Sequence, residues 1–243
     1  MAESRPIAIV TGASSGIGLA TARRLAEAGH DLVLTGRREA PLTDVAASLD
    51  CRSEIVTGDA GDPAVAATMI DAATTRLGGL DVLVLNAGWA EVVPIPETTP
   101  DVVRRAFEVN VFGPAEAIRL AWPTLCARGG RIVGISSYAA LDPFPGFFAY
   151  GATKAALNLL IRDAATEGAE AGVCAFAVAP GAVETPLLRS SFGTDMLPES
   201  KCLAPYDVAA LAMQCITGQR EADNGRTIYI TRADDGGVET MIA

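Results

Sequence analysis

The sequence predicts an α/β fold: a single-domain, doubly wound and mostly parallel sheet of seven strands with helices on both faces. Three observations predict it. Short apolar, β-rich runs recur at Ile7 to Val10, Leu32 to Leu34, Glu54 to Val56, Val82 to Leu85, Ile132 to Ile135, Val173 to Val178 and Thr227 to Ile230. Helix-like segments separate most of them, the alternation that a parallel sheet with crossover helices requires. The first run passes directly into a glycine-rich turn and then into a helical pattern. In such a sheet the ligand crevice lies at the carboxyl ends of the strands.

The first run ends in Thr11-Gly12-Ala13-Ser14-Ser15-Gly16-Ile17-Gly18. Glycines between a strand and a helix let backbone amides approach a pyrophosphate and point the positive end of the helix at it. The Gly-xxx-Gly-x-Gly spacing alone is a weak signal, but the βαβ unit completed by Leu32 to Leu34 strengthens it. In the intervening helix Gly18, Thr21, Ala22, Leu25 and Ala26 share one side, while Arg23, Arg24 and Glu27 point elsewhere. Gly29 is the expected stop, and His30, the single histidine, is read as a surface-turn residue.

The second run closes on Thr35-Gly36-Arg37-Arg38, without the carboxylate that grips the adenosine ribose of NAD. Arg37, with Arg38 in support, can instead bind a 2'-phosphate, so NADP(H) is favoured over NAD(H). The fourth run is followed by Asn86-Ala87-Gly88 and Trp89, the fifth by Ser136-Ser137. Between Ser137 and Tyr150 lies Leu141-Asp142-Pro143-Phe144-Pro145-Gly146-Phe147-Phe148, rich in aromatics for a chain only 5% aromatic. Tyr150 and Lys154 are four residues apart at the head of a helical stretch, on one face. An ammonium there is expected to lower the phenol from its ordinary value of about 10. Residues 186–205 break the rhythm and read as a substrate lid over the crevice.

With 243 residues, half of them apolar, and no repeat or linker, the chain reads as one domain over residues 1–243. No apolar stretch approaches the roughly 18 to 20 residues of a membrane helix, and Met1 to Pro6 is not signal-like, so a soluble, cytoplasmic protein is expected. A net charge of -10 disfavours nucleic acid and anionic membranes as partners. The five cysteines are scattered without a CxxC pair, so neither a disulfide framework nor a metal site is expected.

In order and spacing these motifs resemble the short-chain dehydrogenase/reductase family over nearly the whole chain. Thr11 to Gly18 is similar to its glycine motif, Asn86-Ala87-Gly88 to its post-strand motif, and Asn110 to its catalytic asparagine. Ser136-Ser137, Tyr150 with Lys154, and Pro180-Gly181-Ala182-Val183-Glu184-Thr185 match its serine pair, tyrosine-lysine motif and nicotinamide loop. The resemblance implies a Rossmann fold holding a nicotinamide cofactor against Gly12, Ser14, Ser15, Gly16, Ile17, Gly18, Arg37, Arg38, Asp59, Asn86, Ala87, Gly88, Tyr150, Lys154, Pro180, Gly181, Val183 and Thr185. It implies Tyr150 as proton donor and acceptor, Lys154 on the nicotinamide ribose, Ser137 on the carbonyl oxygen and Asn110 anchoring a water chain. Ser137 is chosen over Ser136 for its thirteen-residue separation from Tyr150, and Asp59 resembles the residue that bonds the adenine amino group.

The chain departs from the family at Phe176, where many members have asparagine, and at Tyr138-Ala139-Ala140 after the serine pair. Trp89, Tyr138, Phe144, Phe148, Leu187 and Leu188 are candidate substrate contacts, and their character suggests an apolar ketone, aldehyde or alcohol. The resemblance also allows a 3-oxoacyl-acyl-carrier-protein reductase, and a non-catalytic NADPH-binding regulator is the alternative of another class. It further implies a homodimer or homotetramer.

Overall fold

A computed structural model of the chain describes residues 5–233 and 235–243. Its single sheet has the order β3-β2-β1-β4-β5-β6-β7-β8. The first seven strands are β1 (Ile7–Val10), β2 (Asp31–Gly36), β3 (Ser53–Thr57), β4 (Val82–Leu85), β5 (Arg131–Ile135), β6 (Cys174–Pro180) and β7 (Thr227–Arg232), all parallel. They coincide with the seven apolar runs to within a few residues. An eighth strand, β8 (Val238–Ile242), pairs antiparallel with β7 and extends the expected seven-stranded sheet by one.

Alternation along each strand feeds two cores. Ala8, Val10, Val82, Val84, Val133, Ile135, Phe176 and Val178 point to the face covered by α1 (Gly16–Glu27), α2 (Glu39–Ala47) and α8 (Pro205–Ile216). Ile7, Ile9, Leu83, Leu85, Ile132, Ala175 and Ala177 point to the opposite face, under α3 (Pro63–Asp71), α5 (Gly113–Arg128) and α6 (Phe148–Glu167). Period-2 strands buried on both sides read as continuous apolar runs, which is why they were visible in the sequence. Phe176, at the departure from the family pattern, fills the first core and is fully buried.

α4 (Pro100–Phe107) continues through a π turn, Glu108–Phe112, into α5. The wider turn leaves three consecutive residues, Val109, Asn110 and Val111, buried. His30 also departs from expectation. It is buried, with Nδ1 3.1 Å from the Leu25 carbonyl oxygen, and burial lowers its pKa. Residues 186–205 form α7 (Pro186–Arg189) and a short 3-10 turn at Glu199–Lys201.

Candidate active site

The candidate residues gather where the strand order reverses, at the carboxyl ends of β1, β2, β4, β5 and β6. After β1 the backbone turns through Gly12 and Gly16, at φ +68° and +54°, values that favour glycine. A Cβ on Gly18 would lie 2.3 Å from the Gly12 carbonyl oxygen and 2.5 Å from Asn86 Nδ2, so only glycine lets α1 start this close to the turn. A Cβ on Gly16 would meet the Thr185 methyl at 2.9 Å, which brings the loop after β6 against the turn after β1.

Asn86 ties these segments together. Its Nδ2 donates to the carbonyls of Thr11 (2.8 Å) and Gly12 (3.3 Å), while Thr11 Oγ1 accepts from the amides of Asn86 (2.9 Å) and Ala87 (3.0 Å). Ser15 precedes α1 without capping it through its side chain, and the first turn has no acidic residue. By contrast Asp62, Thr99 and Thr185 cap α3, α4 and α7. The start of α1 therefore offers backbone donors and a positive helix end to a phosphate, and the residues fit a dinucleotide.

At the outer end of β2, Arg37 and Arg38 are exposed, and among the described residues neither forms an ion pair within 4.0 Å. Ser14 lies near them, with Oγ 3.6 Å from where a Cβ on Gly36 would stand. Asp59 is held by Arg105 (Nη1 to Oδ1 3.2 Å, Nη2 to Oδ2 2.5 Å) and accepts from the Gly61 amide at 2.9 Å. The Arg105 hydrogen bonds, with smaller help from Gly61 and the charge of Arg37, hold its carboxyl below the ordinary range. Arg105 was not singled out in the sequence, because its partner lies 46 residues away.

At the other end, Lys154 is buried and its Nζ donates to the Ile135 carbonyl at 2.7 Å. Loss of water lowers its pKa to about 8. Ser136 Oγ donates to the Lys154 carbonyl at 3.2 Å and so points into the protein, whereas Ser137 lies beside the Tyr150 phenol. The expected lowering of Tyr150 is not found. Burial raises it, since a phenolate is harder to hold in a poorly solvated place, and Ser137 pulls the other way.

Asn110 uses both faces of its amide on protein partners. Oδ1 accepts from the Trp89 amide (2.8 Å), and Nδ2 donates to the Trp89 carbonyl (2.8 Å) and to Thr153 Oγ1 (3.0 Å). Thr153 in turn donates to the Tyr150 carbonyl at 2.7 Å. This clamp, which the sequence reading missed at Thr153, fixes the chain beside Gly88 to the helix that carries Tyr150 and Lys154.

The candidate substrate residues divide. Phe144 joins Phe147 and Phe192 in a cluster of rings, and Phe147 stands 4.9 Å from the Tyr150 ring. Tyr138 instead packs edge-on against Tyr229, with ring centroids 5.6 Å apart. Phe148 and Leu187 are exposed, and Leu188 and Trp89 are partly buried. Pro180 ends β6, the Gly181 amide donates to Ile230 (2.8 Å), and buried Val183 bridges to Leu203.

Residues 6–195 match the model of the short chain dehydrogenase family. The short-chain dehydrogenase/reductase eriH of Hericium erinaceus is 32% identical, with 97% of this chain and 98% of that one covered. A 3-ketoacyl-(acyl-carrier-protein) reductase from Brucella melitensis, solved with NADH, superposes with a TM-score of 0.87 at 28% identity, covering 93% of this chain and 96% of that one. A short chain dehydrogenase from Burkholderia cenocepacia, solved with NADP, gives 0.85 at 30% identity, covering 93% and 95%. Among the described residues no helix is long and apolar enough to cross a membrane. Fold, family model and relatives agree, and the chain belongs to the short-chain dehydrogenase/reductase family of oxidoreductases, which bind nicotinamide cofactors.

Proposed function

We propose that the protein is an NADP(H)-dependent oxidoreductase interconverting an apolar ketone or aldehyde and its alcohol, with Tyr150 as acid and base. The observation that carries this reading is the convergence of Ser137, Tyr150 and the buried Lys154 ammonium at one crevice. A nicotinamide cofactor supplies the hydride for the carbonyl carbon. Tyr150 gives its proton to the carbonyl oxygen as the alkoxide develops and takes one from the alcohol in reverse. A phenol raised by burial stays protonated at neutral pH, which suits reduction, and oxidation gains as pH rises. Ser137 holds the carbonyl oxygen, and Lys154 holds the nicotinamide ribose. Asn110, its amide hydrogens spent on Trp89 and Thr153, contributes by fixing the backbone around the lysine.

The NADP(H) preference rests on Arg37 and Arg38 at the end of β2, where no carboxylate would repel a 2'-phosphate. The Burkholderia relative holds NADP and the Brucella relative NADH, so the arginines carry the choice. Residues 186–205 act as a substrate lid. Assembly into a homodimer or homotetramer in the cytoplasm belongs to the same reading, supported by the exposed Phe112 and Leu159 side chains.

The test is an oxidation screen with NADPH and NADH over ketones, quinones and 3-oxoacyl thioesters. NADPH is expected to have the lower KM; equal values or a preference for NADH remove the NADP(H) assignment. Tyr150→Phe is expected to lower turnover at least about a hundredfold with cofactor affinity kept, and undiminished turnover excludes Tyr150 as the acid. A 3-oxoacyl-carrier reductase is the second reading, favoured by the Brucella superposition and opposed by the acidic Glu167 and Glu170 beside the turn after α6. The thioester arm decides it. No turnover by the wild type across the whole panel favours a non-catalytic NADPH-binding regulator.

A further inference from the structure

We propose that Phe192 is a specificity-determining anchor: it pins the 186–205 excursion onto the wall beside Tyr150 and thereby limits the size of carbonyl compound the site accepts. The inference rests on the function proposed above and names what selects its substrate.

Residues 190–201 are largely exposed, with Met196 at 72%, yet Phe192 within them is only 8% exposed. Its ring stands edge-on to Phe144 (5.5 Å, 88°) and to Phe147 (5.8 Å, 87°), the arrangement aromatic quadrupoles favour. Phe144 and Phe147 are 5.7 Å apart, so the three rings close a triangle, and Phe147 continues it to the Tyr150 ring at 4.9 Å. A displacement of Phe192 therefore reaches the phenol through one intervening side chain.

The Phe192 ring contact joins the excursion to a wall, and each of the two is held by its own hydrogen bonds. Its neck is fixed, since the Leu203 amide donates to Ala182 (2.8 Å) and the Glu184 amide to Leu203 (2.9 Å). Its interior is shaped by Arg189, which pairs with Glu184 and donates to the carbonyls of Phe192 (3.3 Å) and Leu197 (2.8 Å). The opposing wall is also fixed: the Val93 amide donates to Gly146 at 3.0 Å, joining the segment after β4 to the aromatic segment after β5. Three segments that follow three neighbouring strands thus meet beside Tyr150, and the Phe192 ring joins the third to the other two. On this proposal, loss of the ring frees the excursion from the wall beside Phe147 and so opens room for a bulkier ketone.

The experiment compares wild type, Phe192→Ala and Phe192→Leu with NADPH and a ketone series from cyclohexanone to 2-tetralone and larger bicyclic ketones. For Phe192→Ala the ratio of kcat/KM for bulky over compact ketones is expected to rise at least about tenfold, with NADPH Kd kept within about twofold. Phe192→Leu is expected to shift the ratio the same way by less, and it carries the test if the alanine variant does not fold. A merely structural residue would lower all substrates together, so a ratio unchanged in both variants overturns the proposal. Hydrogen exchange at the amides of residues 193–201 supplies an independent reading: faster exchange in Phe192→Ala supports the anchor, and unchanged exchange overturns it. A wild type inactive on every ketone overturns the function and with it the substrate half of this inference, while the exchange result still decides the anchor.

Discussion

A lysine ammonium taken out of water loses its hydration, and at Lys154 the described residues return one hydrogen bond, to the Ile135 carbonyl, and a longer contact with the face of the Tyr150 ring, 5.7 Å to its centroid. Its folded pKa of about 8 lies below the ordinary 10.5, so between those values the unfolded chain binds more protons than the folded one. Wild-type stability therefore rises with pH from about 8 towards about 10.5, and the cost of the buried charge is present in full below about 8. Lys154→Met keeps the length of the side chain without the charge. It is expected to unfold less readily at pH 7, by up to about 3 kcal/mol, with the advantage fading by pH 10 and turnover lost. Urea unfolding at pH 7 and 9.5 checks this, and a variant no more stable than wild type at pH 7 refutes the buried-charge account. The tyrosine-lysine spacing was plain in the sequence because it is local. The direction of the Tyr150 shift was not, because burial is decided by segments far along the chain.

Elements matter through the joints between them. The π turn in the long helix from Pro100 to Arg128 buries Asn110, and Thr153 on α6 connects it to the Tyr150 carbonyl. Thr153 is itself fully buried, so Thr153→Val, of equal shape, would leave an Asn110 donor without its acceptor. The expected cost is about 1–3 kcal/mol of stability, with kcat falling more than KM as the helix carrying Tyr150 and Lys154 loosens against Trp89. Thr153→Ser restores the hydroxyl and is expected to stay near wild type. Equal stability of the valine variant and wild type in chemical unfolding would show that the clamp is idle. Asn110 could be picked out from motif order, but Thr153 and Arg105 could not, since their partners lie 43 and 46 residues away. The same holds for Phe192, whose burial reverses the polar look of its surroundings.

Over the whole molecule, the seven parallel strands were legible because burial on both faces writes an uninterrupted apolar run for each. β8 escaped because Val238 to Ile242 are exposed and carry no core-facing alternation. Its pairing is carried by backbone, through the turn at Gly236-Gly237 and the register Ile228↔Ile242 to Arg232↔Val238. β8 thus serves mainly to cover the β7 edge, whose open amides and carbonyls would otherwise offer a template for another chain. Removing residues 236–243 is expected to bare that edge while sparing the crevice, which lies at the ends of β1, β2, β4, β5 and β6. With few apolar side chains lost from the cores, the fall in Tm should be small, about 2–4 °C for each kcal/mol at this chain length. Sedimentation velocity should show concentration-dependent association greater than in wild type, with turnover per site retained. A truncated chain that sediments as wild type and melts at the same temperature would mean that β8 neither guards the edge nor contributes to the sheet.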